Sequence, residues 1–235
     1  MALSEVTKVA TGLGLAGATV GGGFLAKSLI SQESPKQTIS DKLKRNQFTP
    51  LNTDVSRTEA SGSAWQTIFT KYKELTKQKA EFKIKNLTLG DSENQNEGIN
   101  KLKGACSSLL KIEEDSDSFK NNYPLASKWC VEPISIEALL KKRGISYLNT
   151  STPDNTGTWT NIAKRYSTDH TSQKGTTMND VQWEQVTGDD YSKNAEKIKT
   201  ACNTRKTKNS YEEDFEKSLE EAQRWCSSSK DNEGI

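Results

Sequence analysis

The sequence has one histidine and four cysteines in 235 residues, and these counts limit the metal and catalytic sites it can form. A zinc site with several histidine ligands is excluded, as is a catalytic relay that needs a second histidine. The chain also has no Walker loop, no dinucleotide-binding glycine motif and no nucleophile elbow. We therefore predict a protein with no catalytic residues, no cofactor and no metal site.

Hydrophobic residues are also scarce, and neither sign of charge dominates. Hydrophobic residues make up 32% of the sequence. The 15 glycines raise the apolar share only to roughly 38%, below the ~45–50% of ordinary globular domains. Lysine and arginine number 33 against 31 acidic residues, which gives a net charge of +2. The composition predicts a thin core and no nucleic-acid partner, because nucleic-acid-binding domains carry a clear excess of positive charge.

A long uncharged run stands near the N-terminus. The 18 residues between Lys8 and Lys27 carry no charge, and six of them are glycine. As a helix this run would span about 27 Å, close to the ~30 Å core of a bilayer. We interpret residues 1–35 as a single-pass membrane anchor or signal segment, with a cleaved export signal and a buried soluble helix as the alternatives to an anchor. Cleavage is disfavoured because no small-x-small site separates Phe24 from Lys27.

The orientation of this anchor is contested by two signals. Basic residues after the run outnumber the single Lys8 before it, which by the positive-inside rule would keep the body in the cytoplasm. That rule is weak for long domains, and the cysteines described below favour the other side. We expect a single-pass protein of the cell membrane whose body is extracytoplasmic.

The rest of the sequence repeats itself after about 96 residues. An Ala-Cys pair and then a Trp-Cys pair occur in the same order twice, always 96 residues apart. We predict two similar helical units, 36–133 and 134–230, with few contacts between them and a flexible tail at 231–235. The matching residues are Thr38-Ile39 with Ser135-Ile136, Leu51-Asn52 with Leu148-Asn149, Trp65 with Trp159, Ile68 with Ile162, Tyr72 with Tyr166, Gly90-Asp91 with Gly188-Asp189, Ala105-Cys106 with Ala201-Cys202, and Trp129-Cys130 with Trp225-Cys226.

Local patterns predict a mainly α-helical fold. Thr38 and Asp41 have the spacing of a capping box, and Ser135 can cap the matching helix. Gly144 follows a basic last turn, where a helix favours a left-handed residue. Apolar residues recur at helical spacing from Trp65 onward and predict a long amphipathic helix in each unit.

Two short segments have the alternation of strands instead. Residues 82–85 and 181–184 alternate apolar and polar side chains, which favours short strands. Each unit then closes with two helices, one carrying the Ala-Cys pair and the other ending in Trp-Cys.

The two cysteines of each unit stand 24 residues apart, and we predict the disulfides Cys106–Cys130 and Cys202–Cys226. Buried free thiols are the alternative, while a metal site is disfavoured because there is no C-x-x-C pair. Disulfides would place the body outside a reducing cytosol.

The two predicted bridges require different turns. Residues 115–118 can form a hairpin turn that brings the first pair level. In the second unit we expect residues 203–209 to run back extended so that Cys202 reaches Cys226.

Three other features have simple structural interpretations. His170 lies in a polar stretch and is predicted to be a solvated loop residue. The acidic run 211–221 is predicted to be the solvated face of a helix whose apolar stripe faces the core. Asp91 and Asp189 follow glycine, as in turns, and the alternative is that they contribute to a catalytic site.

The ordered motifs resemble one family. A glycine-rich N-terminal run is followed by Thr-Ile-x-Asp-x-Leu from Thr38, by Leu-Asn, by a tryptophan on an amphipathic helix, by Ala-Cys and by Trp-Cys-Val-x-Pro from Trp129. This order is similar to that of the paralogous uncharacterised proteins of haemotropic mycoplasmas. The resemblance implies a membrane-associated surface protein of unknown activity.

We therefore expect a membrane-anchored, extracytoplasmic protein that binds a partner or acts as an antigen without catalysing a reaction. Its expected partners are the membrane, through the N-terminal run, and a host-surface protein. The alternatives are an exported enzyme with a site assembled from scattered carboxylates, and a membrane scaffold that faces the cytoplasm.

Overall fold

The computed structural model describes residues 36–151, 153, 157–172 and 175–228, all within one compact unit that comprises residues 35–235. The predicted anchor or signal segment and the predicted tail lie outside the described residues. Among the helices that are described, none has both the length and the apolar character needed to cross a bilayer.

The described residues form eight α-helices and a 3₁₀ turn, so the fold is mainly α-helical as predicted. Four helices precede residue 134 and four follow it, and we call these parts the first and second half. The elements in chain order are α1 (Ile39–Arg45), α2 (Ala64–Gln78), the 3₁₀ turn (Ala80–Phe82), α3 (Gln95–Leu110), α4 (Phe119–Trp129), α5 (Ile136–Lys142), α6 (Thr158–Thr171), α7 (Ser192–Lys206) and α8 (Phe215–Trp225).

The predicted helix caps form as their residues indicate. The Thr38 hydroxyl accepts a hydrogen bond from the Asp41 backbone, while the Asp41 carboxylate accepts one from the Thr38 backbone at 3.0 Å. Ser135 caps α5 through the backbone N–H of Ala138. Gly144 follows α5 with φ of +74°, the left-handed conformation that glycine adopts without steric cost.

The predicted strands at 82–85 and 181–184 are wrong, since the described residues pair only through isolated bridges. Their backbone groups bond to nearby backbone carbonyls or to side chains instead of to a neighbouring strand. The Tyr72 hydroxyl accepts a hydrogen bond from Ile84 N–H at 3.0 Å, and the Asn194 amide bonds both backbone groups of Glu184 at 2.9 Å. Alternation in these segments reflects irregular chain lying over a core.

The closest-packed helix pairs among the described elements lie within one half. In the first half α3 contacts α1, α2 and α4, and α1 also contacts α4. In the second half α7 contacts α5, α6 and α8, and α5 also contacts α8. The third helix is therefore the centre of each half.

Short backbone pairings recur at matching places in the two halves. The residue before the first helix of each half pairs with the turn after the third helix, and the loop after the first helix pairs with the residue after the second cysteine. The four pairs are Thr38 with Glu113, Pro50 with Val131, Ser135 with Asn209, and Tyr147 with Ser227.

Four tryptophans hold the loops to the helices through their indole N–H groups. A buried indole needs an acceptor, and here each acceptor is a loop carbonyl. Trp65 and Trp159 bond the loop after the first helix of their half, while Trp129 and Trp225 bond the loop after the second helix. The acceptors are the carbonyls of Asn52 (2.9 Å), Asn149 (3.1 Å), Phe82 (2.9 Å) and Thr176 (2.7 Å), respectively.

Candidate functional site

Both predicted disulfides are present in the structure. Cys106 is bonded to Cys130 and Cys202 to Cys226, with Cα–Cα distances of 5.4 and 5.5 Å, and all four residues are fully buried. Each bridge fixes the third helix of its half to the end of the fourth. A cross-link over 24 residues stabilises the folded state by about 3–4 kcal/mol in the chain-entropy model.

The path predicted for the second hairpin is wrong. Residues 203–206 continue α7 as helix, and the turn follows at 207–214. The second hairpin therefore has the shape of the first, in which α3 continues four residues beyond Cys106. In the second half, Ala201-Cys202 is followed by the polar residues Asn-Thr-Arg-Lys. These residues are helical because α7 packs against both α6 and α8.

An open surface pocket lies where the two halves meet, and we call it the cleft. Its volume is about 470 Å³, within the range of sites that hold small ligands or side chains. One wall is α2 of the first half and the other is the turn before α8 of the second half. The lining residues are Lys71, Glu74, Leu75, Gln78, Tyr211, Glu212, Glu213 and Asp214.

Ion pairs bind most of the charged side chains of the cleft. Lys71 contacts Glu74 at 2.8 Å, and Lys79 of the first half contacts Glu213 of the second half at 2.9 Å. Burial alone would raise the pKa of Asp214, but its hydrogen bond with Lys208 lowers that pKa below its usual value. The cleft is therefore a polar surface with compensated charge.

Lys128 of the first half bonds Glu212, which lines the cleft from the second half. Only 1% of its side chain is exposed, and its Nζ donates a hydrogen bond to the Glu212 carbonyl and lies 3.6 Å from the Glu216 carboxylate. The ammonium group also lies 5.1 Å from the centre of the Phe82 ring. Burial lowers the pKa of Lys128, while Glu216 acts in the opposite direction.

Other side-chain contacts also cross between the halves. Arg143 donates two hydrogen bonds to the Asn46 carbonyl at 3.2 and 3.1 Å. Phe48 packs against Phe215 with ring centres 6.4 Å apart. Side chains therefore link the halves, even though the closest helix packing lies within each half. Independent folding of each half stays a prediction.

The second half contains a buried ionic cluster that the sequence analysis missed. Arg205 donates hydrogen bonds to Asp180 at 2.8 and 2.6 Å and to Glu221 at 2.8 Å, and a further one to the Ala201 carbonyl at 3.0 Å. Burial alone would lower the pKa of Arg205, but the two carboxylates raise it above its ordinary value.

Apolar residues occupy the matching places in the first half. At the repeat offset of 96, Arg205 corresponds to Leu109 and Glu221 to Leu125. Leu109 is buried, and Leu125 packs against the core. The sequence could have indicated this ion pair, because two leucines of the first half correspond to residues of opposite charge in the second half.

The acidic run 211–221 therefore has two kinds of residue. Phe215, Ala222 and Trp225 are buried on α8, which confirms the predicted apolar stripe. Glu221 does not lie on the solvated face, because it faces the core and pairs with Arg205 at 2.7 Å.

The remaining candidate residues lie apart from the cleft lining. His170 is on α6 and not in a loop, and its exposed ring stacks on Trp183 with centres 5.4 Å apart. Asp91 and Asp189 are 87% and 88% exposed and pair with lysines of their own halves at 2.8 and 3.5 Å. Hydrogen bonding to Lys77 lowers the pKa of Asp91. Within the part of the chain that the structure describes, no three His, Cys, Asp or Glu side chains are grouped to hold a metal ion.

Comparison with known proteins found no matching family model, no matching curated protein and no matching solved structure. The resemblance to the haemotropic mycoplasma family stays a prediction.

Proposed function

We propose that this protein is a membrane-anchored, extracytoplasmic binding protein without catalytic activity. The observation that carries the proposal is the pair of buried disulfides at matching positions of the two halves. Disulfides of this structural kind persist in oxidising surroundings and are rare in a reducing cytosol. The uncharged N-terminal run supplies the anchor in this proposal.

We also propose that the two halves are tandem homologous units. Their sequences match in order, and their disulfides, indole hydrogen bonds and short backbone pairings occupy matching places. Duplication of a disulfide-bonded helical unit produces a stable scaffold with variable surface loops. A scaffold of this kind suits a surface protein of the haemotropic mycoplasma type, which we propose as its family.

The cleft supports binding as the proposed role. It lies at the junction of the halves, as ligand sites often do at domain junctions. Tyr211 and Leu75 give it apolar surface among compensated charges. A polar segment of a host-surface protein is the proposed partner.

Two measurements on native cells test the proposal. Blocking free thiols at lysis, followed by intact-mass determination without reductant, is expected to find no blocked cysteine and a mass about 4 Da below the fully reduced value, since each disulfide removes two hydrogens. Trypsin added to intact cells is expected to cut the body while a cytoplasmic marker stays intact.

The same measurements test the alternative of a scaffold that faces the cytoplasm. Four blocked thiols together with a protease-resistant body would contradict the proposal and favour a scaffold facing the cytoplasm. The measured mass also shows whether the N-terminal run is removed.

A further inference from the structure

The carboxyl ends of α1 and α5 meet where the two halves join, and both ends are basic. Arg143, directly after α5, donates two hydrogen bonds to the carbonyl of Asn46, directly after α1, at 3.2 and 3.1 Å. Lys142 donates to the Thr49 hydroxyl at 3.2 Å. These contacts join the two helix ends into one surface, which we call the basic patch. Its residues are Lys42, Lys44, Arg45, Lys141, Lys142 and Arg143.

Most of the positive charge of the basic patch is uncompensated. Within the part of the chain that the structure describes, no ion pair neutralises its four lysines, which are Lys42, Lys44, Lys141 and Lys142. Of the acidic residues at its border, Asp41 bonds Thr38 in the helix cap and Glu114 bonds Arg45. Glu132 is exposed beside Thr49. One carboxylate does not balance four ammonium groups, so the patch attracts an anionic surface.

Each basic helix end also has a local explanation. Cations in the last turn stabilise a helix through its dipole. That effect accounts for each end separately, but it does not account for two such ends lying together, where like charges repel each other. An anionic partner removes this repulsion.

The N-terminal run enters the body beside the basic patch. Arg45 donates a hydrogen bond to the side-chain oxygen of Gln37, which lies two positions after the proposed anchor segment 1–35. Residues 28–35 connect Lys27, at the end of the uncharged run, to Lys36. This connection is at most about 30 Å long even when fully extended. An anchor in the membrane would therefore hold the patch close to the lipid headgroups.

We propose that the basic patch docks the body onto anionic headgroups of the membrane that holds the anchor. The proposal rests on the membrane anchoring given under the proposed function. Lysines close to a membrane are attracted to anionic lipids, and tethering lets a weak attraction suffice because it raises the local concentration. Docking fixes how the body faces the membrane. It also gives the basic residues after the N-terminal run a role other than setting the orientation of the anchor.

Lysine labelling on vesicles tests the docking. Full-length protein is reconstituted into vesicles of phosphatidylcholine alone or of equimolar phosphatidylcholine and phosphatidylglycerol, and labelled with a membrane-impermeant amine reagent. Lys193 is the reference, because it is 78% exposed and lies about 20 Å along α7 from Lys206, which contacts Glu137 of α5. Relative to Lys193, we expect labelling of the four patch lysines to be about fivefold lower on the anionic vesicles, with the difference lost in high salt.

Two double variants with the same change in charge test whether the patch itself is responsible. Lys44→Gln with Lys141→Gln removes two patch lysines, and we expect it to restore the labelling of Lys42 and Lys142 on anionic vesicles. Lys83→Gln with Lys85→Gln removes two exposed lysines from the loop before α3, and we expect it to leave the protection unchanged. Equal labelling on both kinds of vesicle would overturn the proposal, as would protection that both double variants remove equally.

Anchoring is measured separately, by flotation with phosphatidylcholine vesicles in high salt. Protein that floats while its patch lysines stay unprotected on anionic vesicles would contradict the docking and leave the anchor in place. Protein that does not float would contradict the anchor. Salt-sensitive flotation with anionic vesicles would then decide the docking, and we expect Lys44→Gln with Lys141→Gln to weaken it about 25-fold, at about fivefold for each lysine.

A soluble polyanion identifies the competing partner. Heparin is added to the protein in phosphatidylcholine vesicles and the same lysines are labelled. Protection by heparin without protection by anionic vesicles would overturn the proposal and assign the basic patch to an anionic polysaccharide.

Discussion

Replacing the buried ionic cluster of the second half with the leucines of the first half gives the most direct test of how the two halves are related. The single change Arg205→Leu leaves Glu221 as a buried carboxylate, with 9% of its side chain exposed. The single change Glu221→Leu removes one of two carboxylates from Arg205. The double change places leucine at both positions, so that they match Leu109 and Leu125 of the first half.

The expected magnitudes follow from burial. Removing one partner of a buried pair costs about 3–5 kcal/mol of unfolding free energy, because a charge is left without compensation. Asp180 stays near Arg205 and its side chain is 50% exposed, so we expect Glu221→Leu to cost less than Arg205→Leu. Replacing both partners with apolar residues is neutral or stabilising by about 1–4 kcal/mol in comparable cases. The double variant is therefore expected to be at least as stable as the unchanged protein.

Chemical unfolding of the full-length protein at neutral pH, followed by circular dichroism, measures these differences. Lys71→Ala is the control, because it breaks an exposed pair with Glu74 and is expected to cost less than about 1 kcal/mol. Additivity of the two single changes, or a double variant less stable than either, would refute the reasoning. Such a result would mean that the core of the second half does not accommodate the two leucines that the core of the first half contains.

Three further outcomes are expected. Hydrogen bonding to Arg205 lowers the pKa of Asp180. This contact therefore stabilises the protein fully above the ordinary carboxyl pKa of about 4, and the stabilisation is lost as pH falls through the lowered pKa. Unfolding free energies measured over a series of acidic pH values should show this loss in the unchanged protein and not in Arg205→Leu. Gly98→Ala should destabilise by about 1–3 kcal/mol, since its Cβ would lie 2.3 Å from the Phe69 ring, while Gly104→Ala, in open space, should stabilise α3 by up to about 1 kcal/mol in the same melts. The two halves expressed separately should each melt cooperatively by circular dichroism, and failure of both while the whole body melts would show that they form a single folding unit.

Local sequence patterns determined the helices and the cysteine pairs. The capping box at Thr38, the glycine after α5 and the apolar stripe of α2 each depend on residues a few positions apart, and all three form as predicted. The repeat added the information that Cys106 pairs with Cys130 and Cys202 with Cys226. A spacing kept in both copies indicates a contact within each copy.

Tertiary structure alone decided the features that depend on distant residues. Alternation at 82–85 resembles a strand, but a strand needs a neighbouring partner, and here the backbone bonds to Tyr72 and Trp129 side chains. Lys128 bonds Glu212 and Glu216, which lie more than 80 positions away, and no local pattern shows these contacts. The cleft likewise exists only because the turn before α8 meets α2. Helix formation is set by neighbours along the chain, whereas the junction is set by contacts between residues that are far apart in the sequence.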